Sequence, residues 1–356
     1  MRQSISQELS NRMANMGFVC ACLVVLIHCT VETSVGTFSW WWCQMFAREG
    51  ICIIAVPYFF LASGFFLVGG MTTPDWWQCA VRKRLRSLVV PFVLWGVFYS
   101  VFGFCVWWAK TNVFHVYAHE STLNQFGFST LAVLCGIHPF ADIGVLWFIR
   151  CLFMLVLVSP LIVYAIKFRR LFFCVVVLFF GVFLWLNGNG FGGWNFYSLF
   201  DRFFSIRGLL YFSIGIALRL SSWRTGDRMV CVSGLVMGYG LLIIRSMMVI
   251  RGWSGCANVF ETVSVPLIMA GVFYLVPTRR WHQDLVGNAF PVFLIHNIFL
   301  SAVAMLWLLL KLPKTEGCAI IEMFVRLGLA VLLSLLTAKS IKKVAPGFSA
   351  IIFGGR

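Results

Sequence analysis

The chain has 356 residues, 61% hydrophobic and only 11% charged, with a mean hydropathy of +0.91. Soluble globular chains carry about 25% charged residues, so composition excludes an ordinary soluble domain, and no polar stretch is long enough to hold a second core. The net charge of +16 does not indicate nucleic acid, because Lys and Arg fall in short clusters between apolar runs, as they do in cytoplasmic loops of membrane proteins.

A helix needs roughly 20 apolar residues to cross a bilayer. Ten runs qualify in chain order: 16–34, 49–70, 87–109, 143–166, 171–187, 203–220, 229–250, 258–277, 289–311 and 321–338. The run 126–137 is too short to span and reads as re-entrant or interfacial. The expected fold is all-α, a polytopic transmembrane helix bundle of about ten spans. The first run is followed by many others, so it reads as a span and not as a cleaved signal peptide. With the N-terminus in the cytoplasm, every inner segment receives at least two basic residues. They include Arg2 and Arg12, the Arg82–Arg86 group, Arg169 and Arg170, Arg279 and Arg280, and Lys339, Lys342 and Lys343. Both termini are therefore expected to be cytoplasmic. The expected division is an N-terminal segment 1–15, a membrane domain 16–338 and a basic tail 339–356.

Trp40, Trp41 and Trp42, Trp76 and Trp77, and Trp107 and Trp108 fall at run ends, where aromatic belts form. Pro57, Pro160 and Pro266 lie within runs, and Gly234 and Gly238 form a small-xxx-small pair suited to helix packing. Most of the 13 cysteines sit in apolar runs as small apolar residues, and no CxxC pair occurs. Cys43, Cys256 and Cys318 leave room for one disulfide near the outer face.

Ionisable residues inside spans are costly and mark wet cavities or functional sites. His28 lies about 18 Å along the first run and His296 about 10 Å along the ninth, so both fall near mid-depth. Glu32 is placed i,i+4 from His28, where a helix would bring carboxylate and imidazole to one face. Arg150, Arg207, Arg245, Glu261, Glu322 and Arg326 all fall in the outer half of their runs and imply a polar recess. Glu322 and Arg326 have ion-pair spacing. In "VRKRLRSLVVP" four basic residues crowd five positions before the third run. At a helix N-terminus they are suited to hold phosphates. His115 and His119 have helical metal spacing without an apolar helix behind them, and no metal site is expected.

These residues carry a family resemblance. "LVVLIH" ending at His28, "PYFFLASGFFL", "VRKRLRSLVVPFVLW", "LWFIRCLFMLVLVSPLI" and "FPVFLIHNIFL" together resemble, in order and spacing, the acyltransferase-3 family of bacterial integral-membrane O-acyltransferases. The resemblance runs from about residue 12 to 340. It implies acyl-CoA, usually acetyl-CoA, as donor substrate on the cytoplasmic side, no metal, and an acceptor hydroxyl on a glycan or lipid-linked saccharide. It implies a multi-pass protein of the bacterial inner membrane, among membrane lipids. The family's first-helix histidine maps onto His28, its basic loop onto Arg82, Arg84 and Arg86, and its Arg after the L-W-F segment onto Arg150. Two positions depart from the pattern. Gly17 stands where many members carry Arg, and Cys151 stands where an acidic residue often follows the fourth-span Arg.

The expected activity is transfer of an acyl group, most simply acetyl, with His28 as general base and Glu32 as its partner. Arg82, Arg84 and Arg86 are assigned to the donor, and Trp147, Arg150 and His296 to the acceptor. The competing class is a proton-coupled transporter or exporter of a glycan or acylated product, with the histidines as proton relay.

Overall fold

The computed structural model describes residues 5–29, 50–69, 74–112, 146–169, 205–221, 228–251, 254–311 and 315–355. Among these it is helical throughout and contains no strand. The main helices are α1 (Gln7–His28), α2 (Ala55–Val68), α3 (Trp76–Arg84), α4 (Val90–Asn112), α5 (Leu146–Lys167), α6 (Ile206–Leu220), α7 (Arg228–Ile250) and α8 (Ser254–Leu275). The short α9 (Gln283–Val286), α10 (Ala289–Leu309), α11 (Glu316–Val344) and α12 (Pro346–Ile352) complete the order. Six helical stretches are long and apolar enough to cross a membrane: Gln7–His28, Trp76–Trp108, Leu146–Lys167, Met229–Met248, Ala289–Trp307 and Glu316–Val344. Cys52–Val68 and Val259–Leu275 are shorter apolar helices. The predicted runs 171–187 and 126–137 lie outside the described residues.

The outer faces of α4, α7 and α11 carry exposed Val97, Phe98, Val101, Val236, Met237, Ile243, Phe324, Leu332 and Leu336. A soluble protein does not leave so much apolar surface uncovered. Lipid is the solvent these faces suit.

Close backbone approach fixes the α2–α6 pair. A Cβ on Gly64 would fall on the Phe212 carbonyl, and one on Gly215 on the Leu61 carbonyl. Glycine is required at both positions. The contacts advance together, Phe60 with Gly208 and Gly69 with Arg219, so α2 and α6 run parallel. In the α7–α8 pair the close approach is at Gly238 and Gly271; Gly234 also faces α8, at Leu267, with ordinary contacts, so the Gly234–Gly238 pair packs on α8 as read and only Gly238 is tight. Pro57 lies in the first turn of α2, where a missing N–H costs nothing, while Pro160 and Pro266 are inside α5 and α8.

α1 packs against α2, α10 and α11. Its start is fixed by Ser6, whose hydroxyl accepts the Leu9 N–H at 3.2 Å. Buried Asn15 then joins it to the chain before α9. The side-chain amide donates to the Pro277 and Arg279 carbonyls at 3.0 and 2.8 Å and accepts the Trp281 N–H at 3.0 Å. Asn11 donates to Thr278, and the Arg12 guanidinium lies 4.7 Å from the Tyr274 ring centroid. At this same end Lys339 pairs with Asp284 at 2.7 Å and Lys342 donates to the Gly287 carbonyl. The beginning of α1 therefore aligns with the beginning of α10, and the two helices run parallel.

Two segments differ from the sequence reading. The basic cluster is not a loop, because α3 continues through a π-helical turn, Leu85–Val89, directly into α4. The tail beyond residue 339 is helical to Val344 and then turns back as α12 onto α4. Trp95 donates to the Ile352 carbonyl at 3.0 Å and stacks on buried Phe353. Gly354 has φ +66, and a Cβ there would fall on the Ser87 carbonyl in the π turn. Only glycine meets both demands.

Candidate active site

His28 is the last residue of α1. Cys29 leaves helical geometry at φ −77 and ψ 49, and its N–H returns to the Leu26 carbonyl. This corrects the expected continuous helix across 16–34. Glu32, expected to partner His28, lies outside the described residues.

His296 sits inside α10 and is fully buried. Its Nδ1 lies 3.1 Å from the Val292 carbonyl and 2.8 Å from the Phe293 carbonyl. Two acceptors at one nitrogen require that nitrogen to carry the proton. Nε2 then holds the lone pair of a neutral imidazole, and it is buried without a hydrogen-bond partner. The His28 and His296 rings lie 5.4 Å apart between centroids, tilted by 38°. Parallel packing of α1 and α10 thus joins two histidines far apart in the chain. His28 lies about 20 Å along α1 from the Asn15 junction, deep in the apolar part of the bundle.

A cavity of about 460 Å³ opens beside this pair, lined by His28, Tyr99, Phe102, Asn297, Ser301 and Arg326 among others. Its walls come from α1, α4, α10 and α11. Tyr99 ties α4 to α10 by donating its hydroxyl to the Leu294 carbonyl at 2.5 Å. Arg326 is ion-paired with Glu322, as their spacing implied. Such a volume lies in the range of small-molecule sites, roughly 300–1,000 Å³.

The other predicted residues lie elsewhere. Trp147 joins an aromatic group with Phe60 and Phe148. Phe148 in turn meets Phe293 at 5.6 Å, connecting α5 with α10 just below His296. Arg150 is half-buried on α5, and neither it nor Trp147 lines the cavity. Arg207 and Arg245 both pair with buried Glu261, the latter at 2.9 Å, in a triad that ties α6, α7 and α8. The polar recess expected from all these charges is therefore divided, and of them only Arg326, ion-paired with Glu322, lines the histidine cavity.

Arg82, Lys83 and Arg86 are exposed and Arg84 half-buried. They lie at the end of α3 and in the π turn, where the backbone N–H groups are already used by the helix; Leu85 N–H, for instance, donates to Val81. Any anion there is met by side-chain charge alone, which corrects the expected helix N-terminus. Tyr99 lies about 20 Å up the same continuous helix from Arg86.

Sequence reading missed Asn15, Asn297 and Ser301, all uncharged. The signal available was Asn297 directly after the in-span histidine. Among the described residues no group of three or more His, Cys, Asp or Glu has metal-site geometry. His115 and His119 are outside them. Cys318 is a free thiol, as is Cys20; Cys43 lies outside the described residues, as does the Cys256 side chain.

The family model that matches is that of the acyltransferase-3 family, described as an acyltransferase domain, and it covers residues 16–339. No curated protein and no solved structure matches the chain. A match over nearly the whole chain, from the middle of α1 to the last turns of α11, places this chain in the acyltransferase-3 family as a multi-pass membrane acyltransferase.

Proposed function

We propose that this acyltransferase moves an acyl group, most simply acetyl, from acyl-CoA to a hydroxyl of a cell-envelope or exported glycan in the bacterial inner membrane. The observation that carries the reading is the His28–His296 pair beside an open cavity between α1, α4, α10 and α11. An imidazole with an unperturbed pKa of about 6.5 can take a hydroxyl proton at neutral pH. His28 removes the proton of the acceptor O–H as that oxygen attacks the thioester carbonyl. The tetrahedral intermediate collapses, the C–S bond breaks, and the CoA thiolate leaves and is protonated. His296, with its proton fixed on Nδ1, supplies a rigid acceptor beside His28 that can orient an N–H or a bound hydroxyl.

The end of the bundle bearing Arg12, Arg279, Arg280, Lys339 and Lys342 faces the cytoplasm in this reading. Arg82, Arg84 and Arg86 meet the CoA phosphates, and the extended pantetheine arm covers the distance along α4 to His28. Arg150 and Trp147 lie one aromatic layer away and act on acceptor or donor only indirectly.

The test is transfer from labelled acetyl-CoA by protein in lipid nanodiscs supplied with membrane saccharide. His28→Ala should lower transfer by about 1,000-fold, the scale of a lost general base. Undiminished transfer by this variant overturns the assignment. A carrier using the same histidines only to move protons would release no CoA in the wild type.

A further inference from the structure

We propose that the cavity between α4, α10 and α11 is the acceptor subsite and that it takes one neutral or anionic sugar ring, recognised by Asn297, Ser301 and Arg326. This deepens the function proposed above and rests on it.

The first ground is placement. Asn297, Ser301 and Ala304 follow one another at i, i+4 and i+7, so they form one stripe on α10. The stripe begins next to His296, and all three residues line the cavity that His28 also lines. A ring held along it presents a hydroxyl at the His28 end.

The second ground is open polar capacity. Several serines in these apolar helices bond back to their own helix, while the buried Ser87 and Ser334 hydroxyls have no partner among the described residues. Ser100 donates to Gly96, Ser159 to Val156 and Ser246 to Leu242, at 2.9, 2.7 and 2.9 Å. Ser301 does not, and the Asn297 amide likewise has no hydrogen-bond partner among the described residues. Asn297 is half-buried and Ser301 exposed, so the cavity wall presents an amide and a hydroxyl that are open to a ligand.

The third ground is the opposite wall. Phe102 stacks on Phe98 at 6.1 Å, and Tyr99 has its hydroxyl committed to Leu294, so both offer ring surface to the cavity. An aromatic wall facing an amide, a hydroxyl and a guanidinium matches a sugar ring. Its C–H face meets the aromatics and its hydroxyls meet the polar stripe. Among the described residues no carboxylate lines the cavity, and Glu322 is engaged by Arg326. A cationic acceptor finds no partner among them.

The experiment uses native membrane vesicles, which hold their own acceptor, and follows labelled acetyl from acetyl-CoA into the saccharide fraction. Ser301→Trp, which fills the cavity, should lower transfer by about 100-fold. Asn297→Ala should lower kcat/KM for the acceptor by about tenfold. In both, the affinity for acetyl-CoA should stay within about twofold of wild type, since an acceptor subsite adds little to donor binding. Wild-type transfer by both variants overturns the subsite, as does loss of acetyl-CoA binding together with transfer. If Ser301→Trp does not fold, Asn297→Ala and Ala304→Leu decide by the same readouts. Transfer by His28→Ala in these vesicles sinks the proposed function itself. Loss in His28→Ala with retention in Asn297→Ala and Ser301→Trp sinks only the subsite.

Discussion

Two buried polar regions of α1 are built on opposite rules. At its beginning, Asn15 meets three backbone groups of the 277–281 segment and leaves none of its donors or acceptors idle. At its end, His28 faces a histidine whose Nε2 is buried with no partner, beside a cavity lined by two further open polar side chains. Satisfied burial holds helices together. Burial left incomplete at the edge of an open cavity leaves room for a substrate to complete it. The two regions differ in task although both are polar insertions in the same apolar helix.

That division can be broken by substitution. His28→Ala removes a base and should cost about 1,000-fold in transfer, while the thermal midpoint stays close to wild type. Asn15→Ala strips three part-buried hydrogen bonds to the backbone of the 277–281 segment and should cost about 2–3 kcal/mol in stability. It should leave the transfer rate per folded molecule unchanged; thermal unfolding in detergent, with activity normalised to folded protein, checks both parts. Gly354→Ala puts a Cβ at positive φ against the Ser87 carbonyl and should cost about 1–2 kcal/mol. It should also raise KM for acyl-CoA more than it lowers kcat, because the tail is docked on the turn that carries Arg86.

The smallest expected effect sharpens the structural side of the comparison. The Asp284 carboxyl is held below its usual value by hydrogen bonding to Lys339 and by that residue's charge. A depressed carboxylate stabilises the fold above its unfolded value of about 4 and loses that contribution as pH falls through the lower folded value. Thermal midpoints of wild type and Lys339→Met should therefore differ slightly near neutral pH and converge below about pH 4. A gap that persists at acidic pH would assign the Lys339 effect to packing.

Much of the bundle was legible because apolar run length and ionisable exceptions are strong signals. His28 and His296 stood out as imidazoles in hydrocarbon, and comparable depths along two parallel helices brought them together. What the sequence concealed follows from the same reasoning. Apolar counting starts α1 at residue 16, but the helix begins at Gln7 because its polar first turns are capped by Ser6 and dock on the segment before α9. Four basic residues in five positions read as a loop, yet α3 runs through them into α4 by a π turn. Charges caught the eye at Arg207, Arg245 and Glu261, which satisfy one another. Uncharged Asn15, Asn297 and Ser301 did not, although the first fixes α1 and the other two line the cavity.

The most direct test pairs the two ends of α1. Acetyl transfer per folded molecule should be measured for His28→Ala and Asn15→Ala in the same lipid nanodiscs, with thermal midpoints taken on the same samples. The account predicts abolished transfer with a native midpoint for the first, and native transfer with a lowered midpoint for the second. Transfer retained by His28→Ala, or its loss only in step with unfolding, would contradict it.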